Sequence, residues 1–151
     1  MRILNVTAQK PDSTGSGVYL AEMVRCEVAA GHSAAVICGI APDDPLPFPA
    51  GVSAYPVQFE TDEVPFPVCG MSDEMPYRAT RYRDMDHQMV SCFYAAFAKR
   101  IERAVEEFLP RCGGMPSLIS AYRFGAKYGF RHPGVCYLPF HRSSSNAYAQ
   151  P

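Results

Sequence analysis

Three stretches near the start of the chain decide the fold: RILNVT at residues 2–7, QKPDSTGSG at 9–17 and AAVICGI at 34–40. The first and third are short and apolar, which predicts buried strands. The second is a polar glycine loop, and a helical pattern begins just after it, at Val18. This order predicts a βαβ unit, and strands that are apolar throughout predict a parallel sheet covered on both faces.

The first helix has its apolar face defined by spacing. Leu20, Val24 and Val28 follow one another at intervals of four, with Ala21 beside them. This is the period of an amphipathic helix that packs on a sheet. Gly31 follows at once, where glycine commonly ends a helix.

Residues 42–82 form a proline-rich region with eight of the chain's fourteen prolines. Within it, VSAYPVQF at 52–59 predicts a third strand, and Pro56 indicates an edge position or a break. The rest, residues 60–82, is expected to be a long ordered loop, because it is too apolar for disorder. The loop and Phe59, the residue just before it, supply these large apolar side chains: Phe59, Phe66, Met71, Met75, Tyr77 and Tyr82.

The strongest periodicity predicts a second helix over residues 86–108. Asp84 or Asp86 can supply its N-cap, and Pro110 ends it. An apolar stripe at intervals of three or four indicates core packing. The stripe consists of Met89, Phe93, Phe97, Ile101, Val105 and Phe108.

Bulk composition limits the functional classes. The chain has 151 residues, is 48% hydrophobic and carries a net charge of −1, which predicts one globular domain and no nucleic-acid or anionic-membrane partner. No apolar run approaches the length of a membrane span, and the first residues lack a secretory signal, so a cytoplasmic location is expected. None of the six cysteines forms a Cys-x-x-Cys pair, and no metal or cofactor is predicted.

The segment from 110 to 151 does not match the rest of the chain. All fifteen acidic residues precede it, the last being Glu107, whereas five of the fourteen basic residues lie within it. Its apolar periodicity is weak and it ends in RSSSNAYAQP, so we expect an irregular basic tail. One interpretation is a tail that binds an anion.

The other interpretation is that this tail is read in a shifted frame. Codons exist for Arg111 onward whose one-nucleotide shift reads DVVVC, then LYLLTALVRSMV, then VCAIC. Those segments predict a strand, a helix and a strand. The first of them, placed directly after the helix that ends EEFLP, makes an ordinary αβ junction. The consistency of the shifted text with the preceding fold favours a frameshifted tail.

The quoted elements resemble glycosyltransferase family 4. The resemblance covers residues 1 to about 110 and rests on RILNVT, DSTGSGVYLAEM, EVAAGHSAAVICG and ETDEVPFPVCGMSDEMPY. It implies a GT-B fold, of which this chain carries part of the N-terminal, acceptor-side, Rossmann-like domain: a parallel sheet with flanking helices, incomplete at its C-terminal end. The family's nucleotide-sugar motif in the second domain is not matched. The implied function is sugar transfer from a nucleotide-sugar donor to a hydroxyl acceptor, with this fragment inactive alone.

Two groups of residues are candidates for ligand contact. Thr14, Gly15, Ser16 and Gly17 precede a helix, whose free N–H groups and dipole favour anions, so this loop is expected to face the donor phosphates. It lacks the third glycine of a dinucleotide fingerprint and the lysine of a P-loop, and a tight turn with ordinary capping is the alternative.

In the long loop, hydrogen-bonding and charged side chains are weak candidates for acceptor binding: Asp73, Glu74, Tyr77 and Arg78. The alternative is a self-packed loop with solvated charges. No catalytic residue is assigned. A rival function is a stand-alone α/β module that binds an anion or nucleotide with the help of the basic tail. A small NAD-dependent reductase is weaker still, because no Tyr-x-x-x-Lys spacing is present.

Overall fold

The computed structural model of the chain describes residues 1–108, together with two strand segments at 117–121 and 136–139. This part of the chain is mixed α/β, with short parallel strand pairs and two α-helices. In chain order the elements are β1 Arg2–Val6, α1 Gly15–Ala29, β2 Ser33–Ile37, β3 Gly39–Ile40, β4 Ser53–Ala54, β5 Val57–Gln58, β6 Cys69–Gly70, β7 Thr80–Arg81, α2 His87–Glu107, β8 Ser117–Ala121 and β9 Cys136–Pro139.

The main sheet has the order β4-β2-β1-β8-β9. β1 lies parallel to β2, from Arg2 opposite Ser33 to Val6 opposite Ile37, and β4 and β8 extend the sheet in parallel. β9 is antiparallel to β8. There are two further parallel pairs: β3, which precedes the proline-rich region, pairs with β5, and β6 pairs with β7. The predicted parallel pairing of the first two strands is confirmed.

Strand β2 is covered on both faces. Ala34 and Val36 belong to the apolar cluster beneath α1, while Ala35 and Ile37 belong to the larger cluster beneath α2. All four have at most 1% of their surface exposed. Because successive side chains of a strand point to opposite faces, a strand buried on both faces must be apolar throughout. The unbroken apolar run therefore indicated the layered arrangement correctly.

Helix α1 begins three residues before the predicted Val18, because Thr14 caps it and Gly15 is its first helical residue. Its C-terminal end matches the prediction: Gly31 has φ of +78°. The N–H of Gly31 donates to the Val28 carbonyl at 2.9 Å, and the N–H of the next residue donates to the carbonyl of Glu27 at 3.0 Å. These two bonds form a Schellman motif, which requires the left-handed backbone that glycine adopts without strain.

Helix α2 starts after Asp86, whose carboxylate accepts the Met89 N–H at 2.8 Å. Of the two predicted caps, the structure uses this one. The prediction that Val105 is buried is wrong: it is 36% exposed, and Ala96 and Ala104 are buried instead, at 1% and 0%. The small alanines let α2 approach the sheet closely, and Val105 then lies at the margin of the core. The stripe holds for Phe93, Phe97 and Phe108.

Neither helix in the described part of the chain combines the length and the hydropathy needed to cross a bilayer.

The predicted third strand is divided at Pro56. Tyr55 donates its N–H to Val36 at 2.8 Å, and Val57 donates to Cys38 at 2.8 Å, so alternate residues pair inward. Pro56 falls on the outward-facing side of this alternation, where its missing N–H costs no ladder bond. The expectation of an edge position or a break is confirmed, since β4 ends the order of the main sheet and β5 begins only after Pro56.

The long loop packs into the core beneath α2. Val64, Phe66 and Val68 are 0%, 6% and 1% exposed. The Phe59 ring, which is fully buried, meets Phe66 edge-on at 5.7 Å and Phe97 at 6.4 Å between centroids. The prediction of an ordered loop therefore holds, although Met71 is 54% exposed.

The segment 110–151, expected to be an irregular basic tail, lies mostly outside the described residues. The structure differs from that expectation at β8 and β9, which add two strands beside β1. A strand at that position pairs backbone groups that β1 would otherwise leave open at a sheet edge. The run SLISA at 117–121 is short and partly apolar, which suits a strand.

One polar side chain is buried under α1. Asn5, on β1, is 0% exposed, and its Nδ2 donates to Glu27 Oε2 at 2.9 Å. Among the residues that the structure describes, the Asn5 Oδ1 atom finds no hydrogen-bond partner. Burial raises the pKa of the Glu27 carboxyl above its ordinary value, with the bond from Asn5 and the charge of His32 opposing that rise. A carboxylate in the last turns of a helix is also unfavourable to the helix dipole.

This pair predicts a pH-dependent effect of Glu27→Gln. The pKa is higher in the folded state than in the unfolded state, so the free energy of unfolding falls as pH rises through that window. The amide that replaces the carboxyl can donate to the orphan Oδ1 and carries no charge to desolvate. We expect the variant to be more stable at neutral pH by about 0.5 kcal/mol, with a smaller gain in acid, where the wild-type carboxyl is protonated.

Urea denaturation at neutral and acidic pH measures this difference. Glu22→Gln, on the exposed side of the same helix, is the matched control and should not be stabilised, because Glu22 is exposed and pairs with Arg25. A loss of stability in Glu27→Gln, or equal gains in both variants, would contradict the interpretation.

Candidate functional site

Polar side chains collect where the parallel strands end. β1 and β2 both end at the same edge of the sheet, and α1 begins above it. In open parallel sheets, ligands bind in the crevice at this edge. We call the polar residues there the carboxyl-edge cluster: Gln9, Lys10, Thr14, Ser16, Asp44 and Tyr77.

The start of α1 presents backbone N–H donors in its first turn. Thr14 Oγ1 accepts the Gly17 N–H at 3.3 Å, and its carbonyl accepts the Val18 N–H at 2.8 Å. For the N–H groups of Gly15 and Ser16, no acceptor is found among the described residues. The first N–H groups of a helix carry its positive dipole end, so these two can hydrogen-bond an anion.

The two glycines of this loop have different roles. A Cβ on Gly17 would lie 2.5 Å from the Lys10 carbonyl oxygen and 2.9 Å from the Asp12 nitrogen. A Cβ on Gly15 would meet nothing within 4 Å. Glycine at position 17 therefore lets the preceding loop pack on the helix, and only Gly15 borders open space.

Ser16 is held by side chains of the same loop. Its hydroxyl donates to Gln9 Oε1 at 2.5 Å and lies 3.1 Å from Thr14 Oγ1. Gln9 is 5% exposed, and its N–H donates to Thr7 Oγ1 at 3.3 Å. These bonds fix the loop before any ligand arrives, which lowers the ordering cost of binding.

Lys10 lies beside the helix start and was not identified from the sequence. Its Nζ is 2.6 and 2.8 Å from the two carboxylate oxygens of Asp44 and 5.1 Å from the centre of the Tyr77 ring. Asp44 also accepts the Ala41 N–H at 2.7 Å. The sequence signal was a lysine and an aspartate in loops after successive strands, but their 34-residue separation hid the contact.

Tyr77 acts as a neutral hydrogen-bonding group in this cluster. Burial raises its pKa to about 12, with a smaller opposing effect from the Lys10 backbone. Its hydroxyl donates to the Cys69 carbonyl at 3.2 Å. It thus joins the long loop to the strand edge and offers no base at physiological pH.

The four predicted acceptor residues do not come together. Tyr77 belongs to the cluster, whereas Asp73, Glu74 and Arg78 are exposed. Asp73 pairs with Arg83 at 2.8 Å, and Arg78 lies 3.5 Å from Glu60. These contacts match the alternative of a self-packed loop with solvated charges. The structure does not bring Asp73, Glu74 and Arg78 to the cluster that contains Tyr77. Their assignment to acceptor binding stays a prediction.

Comparison of the chain with protein-family models, with curated proteins and with solved structures gave no match.

The glycine geometry predicts opposite effects of two matched substitutions. Gly17→Ala places its methyl group against backbone atoms that cannot move independently, so we expect it to lower the free energy of unfolding by about 2 kcal/mol or more. Gly15→Ala has open space and gains helix propensity, so it should be neutral or stabilising by up to about 1 kcal/mol. Urea denaturation of the two variants side by side tests this, and equal effects would refute the distinction.

Proposed function

We propose that the carboxyl-edge cluster binds the phosphate groups of a nucleotide-sugar, and that the chain is part of the acceptor-side domain of a GT-B glycosyltransferase. The observation that carries the proposal is the start of α1, where the N–H groups of Gly15 and Ser16 lie at the carboxyl edge beside open space. Such a helix start binds phosphate through hydrogen bonds and its dipole. The resemblance of residues 1 to about 110 to glycosyltransferase family 4 supports the identity of the ligand.

The surrounding residues support the same ligand. Lys10 adds a positive charge to the carboxyl-edge cluster, although Asp44, at 2.6 Å, neutralises much of that charge. The backbone N–H groups therefore contribute most of the attraction for phosphate, and Lys10 helps to orient the ligand. Since the family's donor-binding motif lies in a second domain, we expect affinity for a nucleoside diphosphate in the range of about 1 mM.

A self-contained anion-binding module is the second candidate. It is favoured by β8 and β9, which extend the main sheet beside β1. The two candidates differ in ligand preference. A glycosyltransferase fragment should bind a nucleoside diphosphate more tightly than pyrophosphate, whereas a simple anion module should bind the two equally.

The first test is Gly15→Asp. A carboxylate at the first helical position is favourable to the helix dipole, so the fold should be retained. It occupies the space in front of the free N–H groups and repels phosphate. We expect the amide shifts that a nucleoside diphosphate causes at residues 15 and 16 to disappear, measured by two-dimensional ¹H–¹⁵N NMR.

Gln88→Asp is the matched control, because it adds the same charge to the first turn of α2. It should leave the shifts unchanged. Ligand-induced shifts that persist in Gly15→Asp, or that are absent from residues 15 and 16 in the wild type, would overturn the proposed site.

The second test concerns turnover. In the proposed reaction the enzyme stabilises the leaving diphosphate and an oxocarbenium-like sugar, and most donor contacts come from the other domain. We therefore expect the purified chain to give no sugar transfer or donor hydrolysis above background in a nucleotide-sugar assay. Robust turnover would contradict the assignment of this chain to the acceptor side.

A further inference from the structure

A second polar groove lies away from the carboxyl edge, between the outer strand β4 and the C-terminal half of α2. Its volume is about 580 Å³, within the range of small-molecule sites. The residues that line it come from the strand segment and from one face of the helix: Ser53, Ala54, Tyr55, Pro56, Gln58, Lys99, Arg100, Arg103 and Glu107.

The groove is basic in a chain whose net charge is −1. Among its lining residues in the described part of the chain, three are cations and one, Glu107, is an anion. A further carboxylate, Glu63, contacts the cations from the rim, at 3.4 Å from Lys99 and 2.8 Å from Arg100. Even with Glu63 counted, the cations outnumber the carboxylates, so the groove is suited to an anionic ligand.

Arg100 forms the wall of the groove. Its Nε donates to the Pro56 carbonyl at 2.9 Å, and its terminal nitrogen donates to Glu63 at 2.8 Å. Only 19% of its side chain is exposed. It therefore fixes α2 against the edge strand, and its donors are already engaged.

Lys99 and Arg103 are the cations available to a ligand. They are four residues apart on α2 and so project from the same face. Lys99 is 71% exposed with one long contact to Glu63, an interaction of the kind that contributes little in water. Arg103 is 65% exposed, and its Nε donates to Glu107 at 2.8 Å. For the terminal nitrogens of Arg103, no hydrogen bond to the described residues is found.

The floor of the groove adds a neutral hydrogen-bonding group. Tyr55 lines the groove and is 8% exposed, and burial and the nearby Glu107 carboxylate raise the pKa of its hydroxyl, which keeps this group neutral. Glu107 accepts the Arg103 Nε–H at 2.8 Å, which orders these two side chains. A guanidinium and an ammonium beside a hydroxyl match the several oxygens of a phosphate group.

We propose that this groove binds a small molecule through a phosphate group, held by Lys99 and Arg103 above the Tyr55 hydroxyl. The site is independent of the carboxyl-edge cluster, because it uses exposed side-chain cations on a different side of the sheet. It would give the chain a second anionic ligand or an effector site. Small size favours a phosphorylated metabolite over a nucleic acid.

Titration with inorganic pyrophosphate, followed by ¹H–¹⁵N NMR at low ionic strength, tests the site. We expect saturable shifts of amides at 53–58 and 99–107. In Lys99→Gln/Arg103→Gln the affinity should fall about tenfold or more, since two charge-assisted contacts are lost. Both side chains are exposed, so the thermal midpoint of unfolding should change little.

Arg25→Gln/Arg78→Gln is the matched control. It also removes two exposed cations, each paired with one carboxylate, from elsewhere on the surface. Affinity in this control within about twofold of wild type supports a local site, and an equal loss in both double variants would show only a net-charge effect. Gly15→Asp should leave these shifts intact. Shifts confined to residues 9–17, or none at 53–58 and 99–107, would overturn the proposal.

Discussion

The parallel pairing of β1 with β2 is the interaction on which the other features depend. Both strands run in one direction and stop at one edge, and the ladder continues beyond them, where the Thr7 N–H donates to the Ile37 carbonyl at 2.9 Å. β2 is buried on both faces, so neither face is left for a ligand. Both candidate ligand sites accordingly lie elsewhere, one at the strand ends and one at the outer edge of the sheet.

Two close backbone approaches fix the loop after β1. A Cβ on Gly17 would lie 2.5 Å from the Lys10 carbonyl oxygen, and one on Gly39 would lie 2.6 Å from that of Ala8. These contacts come from α1 and β3. Both restrict the backbone of residues 8–10, because neither contact leaves room for a side chain on the glycine. This backbone conformation places Lys10 within reach of Asp44.

The two proposed anion sites differ in physical origin. At the carboxyl edge, the donors are backbone N–H groups of a helix start, and the nearby lysine is largely neutralised by its carboxylate partner. In the groove beside β4, the donors are exposed side chains on one helix face. Salt screens the attraction of exposed charges, and it also screens the dipole at an exposed helix start.

The sequence by itself determined the elements whose signal is local. Periodicity placed both helices, and Gly31 marked the end of α1. The apolar run at 34–40 indicated β2, although the structure divides that run at Cys38 into β2 and β3, which belong to different sheets. These features depend on neighbours within one turn or one strand, so spacing is enough to identify them. The divided strand at Pro56 followed from the missing N–H of proline for the same reason.

Only the tertiary structure decided which distant residues meet. Lys10 and Asp44 are 34 positions apart, and Arg100 reaches Pro56 across 44, so no local pattern could pair them. It also assigned Gly17 to packing and left Gly15 open, although the two look equivalent in the sequence. The reason is physical: periodicity reports which face of an element is apolar, while contacts between elements depend on how closely their backbones approach.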